Sequence, residues 1–468
     1  MLSMSTRRIS SVAHVGNIAI GGDNPIRIQS MATTDTNDTE ASVAQAKRII
    51  DAGGELVRFT TQGTREAQSM QQISQQLKAD GYTQPLVADI HFNANVADVA
   101  AQYCEKVRIN PGNYVDPARK FRHIDYTDAE YAAELQRIDQ RLATFINICK
   151  KHHTAVRIGV NHGSLSDRIM SRYGDTPEGL VESCMEFLRI FKREKFDDVV
   201  ISIKASNTVV MVQSVRLLTR QMESEDMHYP LHLGVTEAGE GEDGRIKSAV
   251  GIGALLTEGI GDTIRVSLSE EPENEIPVAR KLVELIPECT RLRHEAEASI
   301  KDDTITLSIE QAKDWETLQL KAAMAVGALL IDRRATQLSI ICPQFSKNDL
   351  TALADSILQA ARVKFSKTEY ISCPGCGRTL YDLQQTIRRI KEATAHIRPM
   401  KIAIMGCIVN GPGEMADADY GYVGAARGKI SLYRGEQCVE MNIPEQQAVE
   451  KLLALIEADN VLAPNKFE

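Results

Sequence analysis

The sequence predicts an α/β fold that begins with a (β/α)8 barrel, because strand-like and helical segments alternate regularly. Eight short β-rich runs are separated by longer helical patterns over about 250 residues, which is typical of such a barrel. A doubly wound open sheet is the alternative, although it rarely needs eight such regular units. The predicted strands are residues 26–31, 56–60, 86–91, 107–110, 155–161, 198–204, 231–237 and 263–267.

The predicted strands also end in charged or polar residues, in most cases two positions apart. Side chains two apart lie on the same face of a strand, so we expect these pairs to face the lumen near its carboxyl-terminal mouth. Barrel enzymes place their active sites at this mouth. The residues are Arg58 and Thr60, Asp89 and His91, Arg108 and Asn110, Arg157 and Asn161, Ser202 and Lys204, Thr236 and Glu237, and Arg265 and Ser267.

Five of these side chains are cations on different strands, and they suggest an anionic ligand. Converging cations repel one another unless an anion neutralises them, and arginine binds phosphate oxygens in a bidentate manner. Salt bridges to Asp89 and Glu237 are the alternative explanation. Glu237 could instead act as a general acid or base, or cap the next helix. The five cations are Arg58, Arg108, Arg157, Lys204 and Arg265.

Three cysteines and a glutamate are clustered in the last quarter of the chain. Cys373 and Cys376 form a Cys-x-x-Cys loop, and Cys407 and Glu414 flank a turn rich in glycine and proline. Three thiolates can hold three corners of a cubic iron–sulfur cluster and leave the fourth iron to a weaker ligand. A structural zinc site is the alternative, but it normally uses four Cys or His ligands, and no His lies near Cys407.

A short α/β insertion is predicted between the barrel and the cysteine loop. We expect the barrel over residues 1–285, the insertion over 286–365 and the cysteine-containing domain over 366–468. The insertion region is predicted to contain helices at 277–286, 315–331 and 348–363 and strands at 303–309 and 337–341. The last domain is predicted to contain a helix at 379–395, a strand at 401–405, a hairpin at 420–433 and a helix at 445–458.

The composition limits the classes of partner. The 468 residues include 54 Lys and Arg and 63 Asp and Glu, and the net charge of −9 argues against nucleic acid or an anionic membrane as a general partner. No apolar run approaches the roughly 20 residues that cross a bilayer, and the N-terminal residues lack the apolar core of a secretory signal. We therefore expect a cytoplasmic protein.

With these motifs the chain resembles the 4-hydroxy-3-methylbut-2-en-1-yl diphosphate synthase family, of the IspG/GcpE type. The resemblance rests on the Cys-x-x-Cys loop and on the segments VRINPGN at 107–113, VRIGVNHGS at 156–164 and GCIVNGPGE at 406–414. It is closest to the long-form branch of the family, with a shortened middle insertion. It implies a TIM barrel followed by an iron–sulfur domain of the ferredoxin-dependent sulfite and nitrite reductase type.

The resemblance implies an oxidoreductase of the non-mevalonate (MEP) isoprenoid pathway. The implied reaction opens the ring of 2-C-methyl-D-erythritol 2,4-cyclodiphosphate, with two electrons delivered from ferredoxin or flavodoxin through a 4Fe-4S cluster. By this likeness Cys373, Cys376, Cys407 and Glu414 ligate the cluster, and Glu237 and Glu414 act in catalysis. The implied substrate-binding residues are Arg58, Asp89, His91, Arg108, Asn110, Arg157, Asn161, His162, Lys204, Thr236, Arg265 and Ser267.

Two ways of closing the site follow from the resemblance. Compact members of the family are homodimers in which one subunit's cluster domain covers the other's barrel, whereas in the long form the domain covers its own barrel. The shortened insertion leaves both arrangements open here. Two other classes also remain open from the residues alone, a barrel lyase or transferase for a phosphorylated metabolite with a structural metal, and a non-catalytic anion-binding barrel.

Overall fold

The computed structural model describes residues 7–117, 120, 122–397, 399–409, 411–415 and 417–462. A short hairpin, β1 (Ala13–Val15) and β2 (Ile18–Ile20), precedes eight parallel strands. These strands are β3 (Arg27–Met31), β4 (Leu56–Thr61), β5 (Leu86–Ile90), β6 (Lys106–Ile109), β7 (Ala155–Asn161), β8 (Val199–Lys204), β9 (His232–Leu233) and β10 (Thr263–Ile264).

The eight strands form the barrel that the alternating pattern predicted. They pair in the order β8-β7-β6-β5-β4-β3-β10-β9, and a parallel bridge between Ile201 and Leu231 brings β8 beside β9. The sheet is therefore nearly closed, with the carboxyl ends of all strands at one mouth. The surrounding helices are α1 (Thr39–Asp51), α2 (Thr64–Ala79), α3 (Ala94–Ala100), α4 (Pro111–Tyr114), α5 (Asp128–His152), α6 (Asp167–Tyr173), α7 (Pro177–Arg193), α8 (Thr208–Ser224), α9 (Gly241–Leu256) and α10 (Glu275–Glu284).

The last two barrel strands are shorter than the sequence predicted. The predicted strand at 231–237 ends at Leu233, because the chain turns away and Glu237 takes a left-handed backbone conformation with φ of 48°. The predicted strand at 263–267 ends at Ile264. Beyond it, the backbone amide of Leu268 donates to the Glu275 carboxylate, a partner outside the ladder.

The amino-terminal end of the barrel is closed by apolar side chains. The hairpin packs Val15 and Ile20 against Leu56, Val87 and Ala155, which point into the bottom of the lumen. The polar strand-end residues lie above this plug, so the lumen changes from apolar to charged toward the mouth.

The insertion region contains α11 (Ile286–Ala298), β11 (Thr304–Ser308), α12 (Trp315–Ile331), β12 (Gln337–Ile341) and α13 (Lys347–Ala360). Helix α12 is buried along nearly its whole length against α9. The two helices approach closely at glycines, since a Cβ on Gly253 would lie 2.5 Å from Met324 Cγ. Helix α11 was not predicted; Pro287 interrupts the apolar pattern there, but it occupies the first turn of α11, where proline is tolerated.

The last unit is a five-stranded sheet with helices packed on it. Its elements are β13 (Glu369–Ser372), α14 (Leu383–Thr394), β14 (Lys401–Met405), α15 (Gly411–Glu414), β15 (Tyr420–Ala426), β16 (Lys429–Arg434), β17 (Gln437–Pro444) and α16 (Glu445–Leu462). The sheet order is β13-β14-β15-β16-β17, parallel across the first three strands and antiparallel beyond. Strands β13 and β17 were not predicted. Within the described residues, no helix has the length and apolar character needed to span a bilayer.

This last unit lies over the mouth of the barrel of the same chain. The approach is closest at two glycines, where a Cβ added to Gly413 would lie 2.0 Å from the carbonyl oxygen of Gly163. Ser269, which follows β10, donates a hydrogen bond of 2.9 Å to the carbonyl oxygen of Cys373. The closure predicted for the long form of the family is therefore seen within one chain.

Candidate active site

A cavity that is partly open to solvent lies between the barrel mouth and the cysteine loops. The barrel contributes Arg58, Asp89, His91, Arg108, Arg157, Asn161, Lys204, Thr236, Glu237, Arg265 and Ser267. The last domain contributes Cys373, Cys376, Arg378 and Cys407. Met31, at the end of β3, also lines the cavity. Side chains from all eight barrel strands or the loops that follow them therefore meet two distant cysteine segments in one place.

Three predicted site residues do not line this cavity. Asn110 caps the short helix α4 and donates to the Ser164 hydroxyl at 2.8 Å. The His162 ring lies 2.5 Å from Asp175. Burial opposes the charge on this imidazole, but Asp175 and Glu414 outweigh it and raise the pKa of His162. Glu414, the third, lies beside the cavity and is described below.

Asp89 is the central carboxylate of the cation cluster. Its oxygens accept from Arg108 and from Arg378, each at 3.0 Å. Burial alone would raise the pKa of Asp89, but Arg58 and Arg108 hold it well below its usual value. His91 contacts Arg108, and burial beside that cation lowers the pKa of His91 far enough to keep the imidazole neutral.

The cations of the cavity are only partly paired. Arg265 donates through two nitrogens to Glu275, each at 2.9 Å. Arg157 is almost completely buried, and neither its Nε nor its Nη1 has a hydrogen-bond partner within the described part of the chain. Arg58 donates to the sulfur of Met31, which is a weak acceptor. Buried unpaired guanidinium groups are costly, so this arrangement favours an anion in the cavity.

The cysteine loops present their sulfur atoms to backbone and side-chain donors. The amide of Gly406 donates to Cys373 Sγ at 3.2 Å, and Arg378 Nη1 lies 3.8 Å from Cys376 Sγ. Gly375 has φ of 79°, which the tight turn between the two cysteines requires. Burial and the neighbouring Cys376 raise the pKa of Cys407 to about 11. A cationic partner is therefore needed to stabilise its thiolate form.

The donor set fits an iron–sulfur cluster better than a single metal ion. Cys373, Cys376 and Cys407 all line the cavity. Within the described ranges, however, no three His, Cys, Asp or Glu side chains are close enough together to surround one ion. A cubic cluster binds each thiolate at a different iron and therefore spreads its ligands over a larger volume. Backbone amides directed at sulfur are also typical of such clusters.

Glu414 connects the last domain to the barrel rim. Its carboxylate accepts from the backbone amides of Ser206 at 3.1 Å and Gly163 at 3.3 Å and from the Thr236 hydroxyl at 3.0 Å. The Ser206 hydroxyl donates in turn to the Glu414 carbonyl oxygen at 3.2 Å. In this structure the carboxylate is thus held by three donors of the barrel.

Glu237 is a buried carboxyl group of the cavity with little solvation. Within the described residues, its Oε2 atom has no hydrogen-bond partner. Burial and the nearby Glu414 raise the pKa of Glu237 to about 8, so the group is largely protonated at neutral pH. A protonated carboxyl in a cavity can donate a proton to a bound ligand.

Comparison with known proteins decides the family. Residues 10–280 match the GcpE TIM-barrel domain, and residues 369–458 match the GcpE protein C-terminal domain. The chain belongs to the GcpE family. The match confirms the resemblance found in the motifs and the predicted barrel.

Several relatives of this GcpE-family chain share one name, and each aligns with it over nearly its full length. The 4-hydroxy-3-methylbut-2-en-1-yl diphosphate synthase (flavodoxin) of Bacteroides fragilis is 50% identical, with 97% of this chain and 96% of the relative covered. The protein of the same name from Phocaeicola vulgatus is 49% identical, with 97% of this chain and 98% of the relative covered. The one from Akkermansia muciniphila is 40% identical, with 96% of this chain and 96% of the relative covered. The three alignments run over 565 to 608 positions, more than the 468 residues here, so these relatives contain residues that this chain lacks.

Two side chains of the GcpE-family site were missed by the sequence reasoning. Arg378 follows Cys376 by two positions and reaches Asp89 across the domain boundary. Its closeness to the cysteine motif is the signal that could have identified it. Glu275 neutralises Arg265, a role expected of Asp89 or Glu237. Nothing in the local pattern singles out Glu275, since it lies in the first turn of α10, where an acidic residue is ordinary.

Proposed function

We propose that this chain catalyses the reductive dehydroxylation and ring opening of 2-C-methyl-D-erythritol 2,4-cyclodiphosphate, giving (E)-4-hydroxy-3-methylbut-2-enyl diphosphate. The observation that carries the proposal is that one cavity is lined by five strand-end cations and by three cysteines of a separate domain. An anion-binding surface and an iron–sulfur ligand set thereby face the same space. The name of the relatives supports the same reaction.

The barrel cations are proposed to bind the diphosphate. Within the described residues, neither Arg157 nor Arg58 forms a hydrogen bond with a carboxylate. Phosphate oxygens would supply the missing acceptors. Lys204 also lines the cavity, and burial and the neighbouring arginines lower its pKa well below the usual value. Its amine would donate hydrogen bonds to the phosphate oxygens. Asn161 and Ser267 add neutral hydrogen-bonding groups to the same wall.

Cys373, Cys376 and Cys407 are proposed to hold a 4Fe-4S cluster, with Glu414 as an exchangeable fourth ligand. When bound, the cluster supplies electrons and a Lewis-acidic iron. Glu414 is suited to exchange because the barrel offers its carboxylate three alternative donors, at Gly163, Ser206 and Thr236. The cluster type and this ligand role rest on the motif and on the shared cavity.

Glu237 is proposed to supply the proton. The reaction consumes two electrons and one proton. The ring opens at a C–O bond whose oxygen stays on the diphosphate, and a second C–O bond breaks so that the hydroxyl oxygen leaves as water. Glu237 lines the cavity and is largely protonated at neutral pH, because burial and Glu414 raise its pKa to about 8. Its carboxyl can therefore donate to the departing oxygen and be protonated again from solvent between turnovers.

The electron donor and the domain roles belong to the same proposal. We propose flavodoxin or ferredoxin as the donor, and the names of the relatives support flavodoxin. Residues 1–285 would bind substrate, 366–468 would hold the cluster, and 286–365 would be a spacer. The family matches leave residues 281–368 unassigned, and Arg362 from that region lies beside Glu369 at the start of the last domain.

Turnover under anaerobic conditions tests the proposal. Iron–sulfur-reconstituted protein is supplied with the cyclic diphosphate and dithionite, and the product is quantified. We expect a brown protein with about four irons per chain that forms the product. Arg157→Ala should lose most of this activity, whereas Arg65→Ala, at an exposed position, should retain it. A colourless protein that binds one zinc, or a brown protein without turnover, would contradict the proposal.

A further inference from the structure

Lys106 is a buried lysine whose amine has no hydrogen-bond partner within the described part of the chain. The residue is completely inaccessible to solvent, and its Nζ atom is unsatisfied. It lies on β6 two positions before Arg108, so both side chains point into the barrel lumen. Lys106 was not among the predicted site residues and does not line the cavity itself.

The strand register places Lys106 directly beneath the cation cluster. Lys106 pairs with Val87 on one side and Ala155 on the other, and Arg58 pairs with Val87, so the four residues share one level of the barrel. Val87 and Ala155 belong to the apolar plug at the bottom of the lumen. The lysine stem therefore starts at the apolar floor, and its amine extends toward the charged layer.

The charges that act on this amine are positive. Arg157 and Arg58 are the charged side chains that influence Lys106, and both disfavour its ammonium form. His232, on β9, is also buried near Lys106 and is kept neutral by burial and by the surrounding cations. The carboxylate next in sequence, Glu105, lies on the opposite strand face and pairs with Lys78 outside the barrel at 3.0 Å.

Electrostatics then determines which of these groups gives up its charge. Arginine remains protonated in proteins, so Arg58 and Arg157 keep their charges. Lysine can release its proton, and burial without a carboxylate makes the ammonium form costly. Burial and the two arginines indeed lower the pKa of Lys106 well below its usual value. In the free protein the ammonium form of Lys106 is thus disfavoured, at the base of a cation cluster.

We propose that Lys106 takes up one proton from solvent when a diphosphate enters the cavity above it, so that anion binding and protonation of this amine are coupled. The negative charge of the ligand offsets Arg58 and Arg157 and makes the ammonium form favourable again. In the step the amine gains one proton and no other bond changes. Lys106 is then a positioning residue that adds a positive charge to the anion site only when the diphosphate is bound. The inference rests on the proposed diphosphate substrate.

The coupling has a thermodynamic signature. If the ligand-bound protein holds one more proton than the free protein, the affinity for the diphosphate must fall as pH rises. The cyclic diphosphate has no phosphate group that titrates near neutral pH, since each phosphorus is esterified or bridged and keeps one strongly acidic oxygen. Proton uptake on its binding therefore belongs to the protein.

Calorimetry of binding tests the inference. The oxidised holoprotein is titrated with the cyclic diphosphate, without reductant, in HEPES and in Tris, whose ionisation enthalpies differ. We expect uptake of about one proton per site at pH 8 in the wild-type protein and in Lys151→Met, an exposed control. In Lys106→Met the uptake should disappear, and the affinity should lose the corresponding pH dependence.

The possible outcomes separate this inference from the proposed function. Unchanged proton uptake in Lys106→Met would overturn it and assign the proton to Lys204, His232 or Glu237. If Lys106→Met does not fold, Lys204→Arg combined with Glu237→Gln decides, because neither new side chain can take up a proton. Uptake at pH 9, where imidazole stays neutral, should persist in this double variant, and its absence there would contradict the inference. If the cyclic diphosphate does not bind the wild-type protein, the proposed function fails, and inorganic diphosphate, corrected for its own titration, becomes the probe of Lys106.

Discussion

Arg378 and Asp89 form a buried ion pair at 3.0 Å that joins the cysteine loop to the end of β5 in the barrel. The same guanidinium lies 3.8 Å from Cys376 Sγ, and the same carboxylate accepts from Arg108 at 3.0 Å. One continuous chain of contacts therefore runs from a proposed cluster ligand to a proposed phosphate ligand. It also holds the two domains together at the cavity.

Substitution of Arg378 should weaken catalysis through this contact. In Arg378→Gln the Asp89 carboxylate keeps Arg108 but loses a buried charged partner, which costs about 1–3 kcal/mol. We expect kcat/KM to fall roughly ten- to hundredfold, mostly through a higher KM. Steady-state kinetics measures this, with Arg388→Gln, an exposed arginine of the same domain, as control. Equal kinetics in the two variants would show that the pair has no role in closure.

Mutations should distinguish the residues that hold the cluster from the residues that bind the diphosphate. Cys407→Ser should lose the cluster, because it removes one of three thiolates, whereas Arg157→Ala should retain iron and sulfide and lose affinity for the diphosphate. Iron and sulfide analysis together with equilibrium binding distinguishes these effects. Loss of the cluster in Arg157→Ala to the same extent as in Cys407→Ser would contradict the division of roles.

Glu237→Gln should lower kcat with little effect on substrate affinity. The amide is nearly the same size as the carboxyl group but cannot donate an acidic proton, and loss of general acid catalysis typically costs a factor of about 10²–10⁴. Single-turnover kinetics and equilibrium binding measure the two quantities separately. A variant with wild-type kcat would exclude Glu237 as the proton donor.

Acid should weaken the attachment of the last domain through Glu369. Lys247 lies 2.9 Å from this buried carboxylate and Arg362 is also paired with it, and despite burial the two cations lower the pKa of Glu369 to about 2. The stabilisation is therefore present above the unfolded-state pKa and is lost as pH falls from about 4.5 toward 2.

The size of this effect can be measured by urea unfolding. Glu369→Gln should be less stable than wild type by about 3 kcal/mol at pH 7, and the difference should shrink as pH falls below about 4.5. Glu436→Gln, at an exposed hairpin position, should show neither effect. A difference between Glu369→Gln and wild type that is constant from pH 7 to pH 3 would contradict the ion-pair explanation.

The barrel and most of the residues that line the cavity could be predicted from the sequence. Parallel strands bring their carboxyl ends to one mouth, so residues such as Arg58, Arg157 and Arg265 could be grouped from strand ends alone. Asn110 and His162 lie at strand ends as well, but their side chains turn into local hydrogen bonds with Ser164 and Asp175. Strand position alone does not determine where a side chain points once the strand has ended.

Contacts between distant segments could not be read from the sequence. The pair between Arg378 and Asp89 joins residues nearly 300 positions apart. Two of the three barrel donors of Glu414 are backbone amides, which carry no residue-type signal. The position of Lys106 is a matter of register, since one position along β6 would have placed it outside the barrel. The contacts of Arg378 and Glu414 depend on closure of one domain over the other, whereas the position of Lys106 depends on pairing within the barrel.

A single chain supplies both halves of the site in this structure, with its own cysteine loops over its own barrel. Turnover of the cyclic diphosphate by a co-expressed mixture of Arg157→Ala and Cys407→Ser tests this most directly, with wild type and each variant alone as references. Closure within one chain predicts that wild type is active and that the mixture is no more active than the two variants. Recovery of a substantial fraction of wild-type activity in the mixture would show that the cluster of one chain serves the barrel of another, and would contradict the structure's arrangement.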